Sequence, residues 1–217
     1  MNVTVVISAI AGLSWLVVLG VLVLVVMRAS RQQSIKGLTT ALVLSLVLAL
    51  VLNTVSAGLV FVEPQERGVV ISAIDSKGYR EQALQPGLGW IVPYAESVTY
   101  YQISKQTYTM SIAHAEGQIA GDDSIAARTS DGQEVIIDAS VIFSIDPAEV
   151  VDLHITWQSR FVDDLVRPLA RGVIRDAVSQ FRVDQVYSTN RLEMAGQMKD
   201  EMAKVLDENG LVLSDFV

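Results

Sequence analysis

Two charge-free apolar runs, Val3 to Met27 and Leu38 to Val62, stand back to back at the start of the chain, and nothing acidic precedes Glu63. A helix needs about 20 apolar residues to cross a bilayer core. Both runs exceed that, and neither carries the polar stripe of a soluble amphipathic helix. Inside hydrocarbon each backbone polar group must be paired within its own segment, so the pattern predicts two spanning helices, 3–27 and 38–62. The first run is too long for a signal peptide, lacks a basic leader and shows no cleavage site before Arg28. The connecting loop carries Arg28, Arg31 and Lys36 and no acid. Under the positive-inside rule that loop is cytoplasmic, which places both termini and the rest of the chain outside the cytoplasm.

Small and polar residues recur every four positions on the second helix, at Ala41, Ser45, Ala49, Asn53 and Ala57, with a weaker series at Ser8, Gly12 and Gly20 on the first. Small residues let helices approach closely, so these positions are expected to pack the two helices together.

After residue 62 the pattern becomes that of a water-facing domain. Glu66 to Ile74 reads as a strand, Asp75 to Gly78 as a turn, and Leu84 to Tyr94 as an apolar loop punctuated by Pro and Gly. Ser97 to Ile112 reads as one extended strand, and 113–123 as a mobile loop. Ala127 to Ile145 reads as a hairpin turning at Asp131-Gly132, with alternation so apolar that both faces of its second strand are expected to be covered. From Asp146 the period becomes helical. A short helix carries Val150, Val151, Leu153, Ile155 and Trp157. A longer one carries Leu165, Leu169, Val173, Ala177 and Phe181, with Pro168 bending it or marking its start. A third runs from near Asn190 to Gly210, with Leu192, Ala195, Met198, Met202 and Leu206 on its buried side. Leu211 to Val217 closes as a strand. Strands, then helices, then a strand make an α+β domain behind two transmembrane helices. The expected organisation is a membrane hairpin at 1–62, a membrane-proximal subdomain at 63–126 and a second subdomain at 127–217.

Charge and composition narrow the chemistry. Residues 63–217 hold 13 basic against 24 acidic residues, a net charge of −11, and the loop cations bring the whole chain to −8. Such a surface repels nucleic acid. The chain has no cysteine, which removes disulfides and thiolate chemistry. His114 and His154 are far apart and unclustered, so no zinc site is expected. Asp122-Asp123 lacks the alternating oxygens of a calcium loop and reads as solvated. No cofactor is implied. A hydrolase built on Asp163 or Asp164 with His154 is the least favoured reading, since adjacent carboxylates point to different sides of a helix.

Four segments in order carry a family likeness: Glu66-Arg-Gly-Val-Val, Pro86-Gly-Leu-Gly-Trp-Ile-Val-Pro93, Ala127 to Val135 leading into Phe143, and Arg167-Pro-Leu-Ala-Arg-Gly-Val-Ile-Arg175. Together they resemble the SPFH or band-7 superfamily, which includes stomatin, prohibitin, flotillin and the bacterial HflK and HflC proteins, nearest its prohibitin-like branch. The resemblance implies a non-enzymatic, membrane-anchored scaffold of the SPFH (prohibitin homology) fold. Its copies assemble side by side into a large ring or cage that encloses a membrane microdomain and restrains partners such as an AAA+ membrane protease. A regulatory module docking on a protease or channel as a smaller oligomer is the alternative. Two spans are more than many members have, and the long coiled-coil helix usual after the domain is not seen before Val217, as expected of a truncated chain.

Two sites follow as expectations. Arg167, Arg171 and Arg175, four apart, form a basic ridge that either pairs with Asp163, Asp164 or Asp176 nearby or meets the acidic third helix (Glu193, Asp200, Glu201) of a neighbouring copy. Leu88, Trp90, Ile91 and Val92 lie shortly after the second span and are expected to touch the leaflet surface, which Trp favours.

Overall fold

The computed structural model describes residues 3–113, 116–119, 121–188 and 190–217. His114 lies outside the described residues. Helices α1 (Val3–Ser30) and α2 (Lys36–Gly58) come first. Eight strands follow: β1 (Leu59–Val62), β2 (Glu66–Ser72), β3 (Gly87–Trp90), β4 (Glu96–Gln102), β5 (Gln106–Met110), β6 (Ile125–Arg128), β7 (Glu134–Ile137) and β8 (Ala139–Ile145). Then come α3 (Val150–Thr156), α4 (Arg167–Gln180), the single turn α5 (Val183–Val186), α6 (Arg191–Asp207) and the last strand β9 (Leu211–Phe216). The sequence order of strands, helices and strand is therefore the observed one, and the fold is α+β. The chain divides into two compact units, one of residues 1–64, 70–80 and 84–100, the other of residues 65–69, 81–83 and 101–217.

In the first unit α1 and α2 pack on each other. Both are long and apolar enough to cross a membrane, and most of their surface is left uncovered by protein. The least exposed positions of α1 are Thr4, Ile7, Ala11, Ser14, Val18, Val21 and Val25; those of α2 include Leu42, Ser45, Ala49, Leu52, Asn53 and Ser56. Spacings of three and four alternate, which is the seam of left-handed helix packing. Ala49 lies at its centre, fully buried.

The expected four-residue stripe lies at the α1–α2 contact over its middle and departs from it at both ends. Each step of four advances 400°, so the stripe drifts about 40° per step. Ser45 and Asn53 stay at the contact, while Ala41 and Ala57, two steps out, are exposed. On α1 the seam runs beside Ser8, Gly12 and Gly20, not through them: a side chain added at either glycine would meet nothing within 4 Å. Hydroxyls in the helices bond their own backbone, Ser14 to the Ala11 carbonyl at 2.6 Å and Ser45 to that of Leu42 at 2.9 Å. That satisfies them without water.

The second helix stops at Gly58 instead of running to Val62. Leu59–Val62 becomes β1 and pairs antiparallel with β3, which the sequence pattern presents as loop. β2 pairs with β4 in a second two-stranded sheet.

In the second unit β8 is the central strand, antiparallel to β5 on one side and to β9 on the other. The single strand expected over Ser97 to Ile112 is broken after Gln102 and resumes at Gln106. The Asp131-Gly132 signal does make the hairpin of β6 and β7, but through a longer loop than two residues. Thr129 N–H donates to the Gln133 carbonyl at 2.9 Å, with three residues between and Gly132 at φ +82°. Val141, Phe143 and Ile145 of β8 are buried and Ser140, Ile142 and Ser144 half-buried, so one face is fully covered and the other only in part. Phe143 meets Phe161 edge-on at 6.2 Å. A widened helical turn, Val162–Val166, leads into α4, and Pro168 falls in its first turn. α6 buries Met194, Met198, Met202 and Leu206, while Leu192 is 85% exposed. The buried stripe begins two residues later than expected, and two residues are more than half a turn of helix.

Candidate membrane-facing site

The site nearest the two apolar helices grows from the β1–β3 ribbon. Directly opposed residues of an antiparallel pair share a face. Leu59 opposes Trp90 and Phe61 opposes Leu88 on one side; Val60 opposes Gly89 and Val62 opposes Gly87 on the other. The second side turns inward: Val62 is fully buried, and Val60 and Leu84 crowd the place a Cβ would take at Gly89. The first side turns outward, with Leu88 55% and Trp90 44% exposed, and the chain continues with Val92 and Tyr94 exposed as well. An apolar face of Leu88, Trp90, Val92 and Tyr94, exposed, with Leu59 and Phe61, half-buried, therefore begins one residue after α2 ends.

Ile91 is the correction. It is 7% exposed and belongs to the core of this unit, because successive residues of an extended chain point to opposite sides. Leu59, Phe61 and Tyr94 are the members that sequence reasoning missed. Phe61 and Leu59 sat inside an apolar run with no local sign that the helix would stop. That sign lies at Gly58: a Cβ there would stand 2.7 Å from both the Ile91 carbonyl oxygen and the Trp90 ring, so only glycine lets α2 end against β3.

The loop carrying this patch is held by one ion pair. Arg80 donates from Nε at 3.0 Å and from a terminal amino group to the Glu96 carboxylate, and from its other amino group to the Trp90 carbonyl at 3.2 Å. Glu96 also accepts the Val92 N–H at 2.7 Å. Burial by itself would push the Glu96 carboxyl up; the Arg80, Val92 and Ser72 hydrogen bonds and the Arg80 charge outweigh it and hold the carboxyl below its usual range.

The basic ridge on α4 turns toward its own unit. Arg167 donates to Asp123 Oδ1 at 2.6 Å, and Arg171 donates to the same oxygen and to the Asp123 carbonyl at 2.8 Å. Arg175 Nε reaches the Ala126 carbonyl at 3.3 Å. The row thus tracks the chain from 123 into β6, which packs on α4. Asp123, read from sequence as solvated, is 2% exposed and takes a further bond from the buried Tyr108 hydroxyl at 3.3 Å. Its carboxyl would be raised by burial, yet the two guanidinium groups bring it net below the ordinary aspartate value. The internal partner of the ridge is therefore Asp123. Asp164 pairs instead with Arg160 at 2.7 Å. No periodicity could have shown this, because 44 and 48 residues separate the partners.

The remaining candidates stay apart. Glu193, Asp200 and Glu201 are exposed on α6; Glu193 accepts a bond from Asn190 at 2.9 Å, and Glu201 lines a cleft of about 400 Å³ between α4 and α6 with Asp176. His154 Nδ1 lies 2.6 Å from the Tyr101 hydroxyl, and burial lowers its pKa. Among the described residues no cluster of three or more His, Asp or Glu is placed to hold a metal ion.

A family profile described as SPFH domain / Band 7 family matches residues 60–217. The chain belongs to that family. The SPFH family is of membrane-associated, scaffold type, and its members are generally not enzymes. The matched span begins within β1, so the apolar ribbon is part of the SPFH domain and α1 and α2 precede it. A comparison with curated proteins finds no significant match.

Proposed function

We propose that this SPFH protein is a scaffold subunit that spans a membrane twice and seats its first unit on the leaflet through the outer face of the β1–β3 ribbon. Copies then meet edge to edge in the plane, assemble into a ring or cage, and enclose a membrane microdomain whose partners, an AAA+ membrane protease among them, are restrained. The branch within the family is prohibitin-like in this reading, and the protein performs no catalysis. The observation that carries it is the position of the apolar patch, which begins at the first residue after the second apolar helix. The three cations between the helices orient the SPFH domain away from the cytoplasm. Arg175, exposed at the end of the ridge, and the acids Asp200 and Glu201 of α6 are proposed to meet between copies; Arg167 and Arg171 contribute to the fold through Asp123.

Electron microscopy of the full chain after mild extraction tests assembly. A large closed ring is expected. A dimer or trimer recovered only with a partner establishes the smaller docking module instead, and a solitary chain in lipid overturns both. Protease added outside intact cells is expected to digest the SPFH domain; protection there with digestion in inside-out vesicles reverses the sidedness.

A further inference from the structure

We infer that the Arg80–Glu96 ion pair is a positioning device that sets the depth at which the β1–β3 patch meets lipid. This rests on the seating proposed above and names what controls it.

The backbone of three successive residues is tied at this point. The Trp90 carbonyl accepts from Arg80 at 3.2 Å, the Ile91 N–H donates to the Gly58 carbonyl at 2.9 Å, and the Val92 N–H donates to Glu96 at 2.7 Å. The middle bond fastens the loop to the last residue of α2. The outer two fasten the peptide groups on either side of Ile91, and both run to the same ion pair. With those groups fixed, the alternation of an extended chain is imposed: Ile91 points in, and Trp90 and Val92 point out. The turn beyond is closed by Ala95 and Glu96 N–H groups donating to the Val92 carbonyl at 3.3 and 3.0 Å, and Tyr94 adopts φ +67° there. That holds the most exposed aromatic of the unit, at 89%, at the rim of the patch.

The chemistry suits a pair beside a bilayer. The Glu96 side chain is 4% exposed and that of Arg80 32%. A buried carboxylate is tolerated only when paired and hydrogen-bonded. Here the charge that satisfies it comes from the same side chain that holds the Trp90 carbonyl, so loss of either partner releases two backbone groups together.

The absence of cysteine allows a single reporter. Tyr94→Cys carrying a nitroxide, in the full chain reconstituted in zwitterionic nanodiscs, reports depth from its relative accessibility to oxygen and to a water-soluble nickel chelate. In an otherwise native chain the label is expected at the lipid interface. Glu96→Gln and Arg80→Gln are each expected to raise its nickel accessibility by at least about threefold, while amide protection of β2 and β4 stays within about twofold of native. Arg80→Lys, which keeps charge but not the fork, is expected to shift it part-way. A label at native depth in both Gln variants overturns the inference and leaves the seating intact. Loss of β2 and β4 protection along with depth also overturns it, because the pair then acts on folding alone. A label fully water-exposed in the otherwise native chain removes the seating itself.

Discussion

Asp123→Asn tests the clamp that holds β6 to α4. The native carboxylate is almost fully buried and is gripped by two arginines whose side chains are 35% and 22% exposed. Asparagine keeps the size and can keep an oxygen toward both arginines, but it removes the charge, and its amide group takes the place of the oxygen that accepts from Tyr108, whose hydroxyl must then accept instead of donate. A hydrogen bond to a charged group contributes about 1.5–3 kcal/mol, and breaking a buried pair costs about 3–5 kcal/mol. Both arginines can reach water once released, which brings the cost below that of a fully buried pair, and the expected loss is about 2–3 kcal/mol. Because 1.4 kcal/mol is about a factor of ten, amide exchange in β6 and in the first turns of α4 is expected to rise about 30- to 150-fold when opening there is measured by mass spectrometry on the full chain. A double-mutant cycle with Arg171→Gln is expected to give a coupling of about 1–2 kcal/mol, since both changes remove the same contact. A rise in exchange below about threefold, or coupling below about 0.3 kcal/mol, would refute the account of the ridge as an internal clamp.

Other consequences follow from the same geometry. Gly58→Val places side-chain atoms where the Ile91 carbonyl and Trp90 ring already stand and is expected to destabilise the first unit by about 1–3 kcal/mol, read as lost protection of β1 and β3. The Asp123 and Glu96 carboxyls are held below their unfolded values, so their stabilisation is complete above about pH 4.5 and is lost as pH falls through their lowered folded values; Asp123→Asn and Glu96→Gln should each flatten the acid limb of a stability–pH curve. Burial lowers the His154 pKa, so stability present above about pH 6.5 declines as pH falls from there toward the lowered folded value, and His154→Gln should remove that slope. Arg175→Glu is expected to reduce particle size without lowering the unfolding temperature, and Glu201→Arg on the same chain to restore it; unchanged particles after the first substitution would exclude that contact.

Local pattern settled a good deal of this protein. Charge-free runs of 25 residues mark two long helices, since a segment apolar all round must be covered by lipid or by protein, and the switch from alternating to helical periodicity at Asp146 fixes the α+β order. Four short segments in sequence order were enough to identify the family later matched over residues 60–217. Ser45, Ala49 and Asn53 lie where the α1–α2 contact falls, a matter of spacing within one helix.

What tertiary structure decided depends on pairings between distant segments. Leu59–Val62 is as apolar as the helix before it, and only β3, some 25 residues on, recruits it into a strand. Pairing then sorts Leu59 and Phe61 onto the outer face and sends Ile91 to the core. The arginine ridge left internal pairing and a contact with a neighbouring copy both open, because its amphipathic helix shows only charge in a row; whether that row faces solvent or a buried carboxylate 44 residues earlier is set by how the chain returns on itself. Periodicity reports which residues share a face, and only packing says what the face meets.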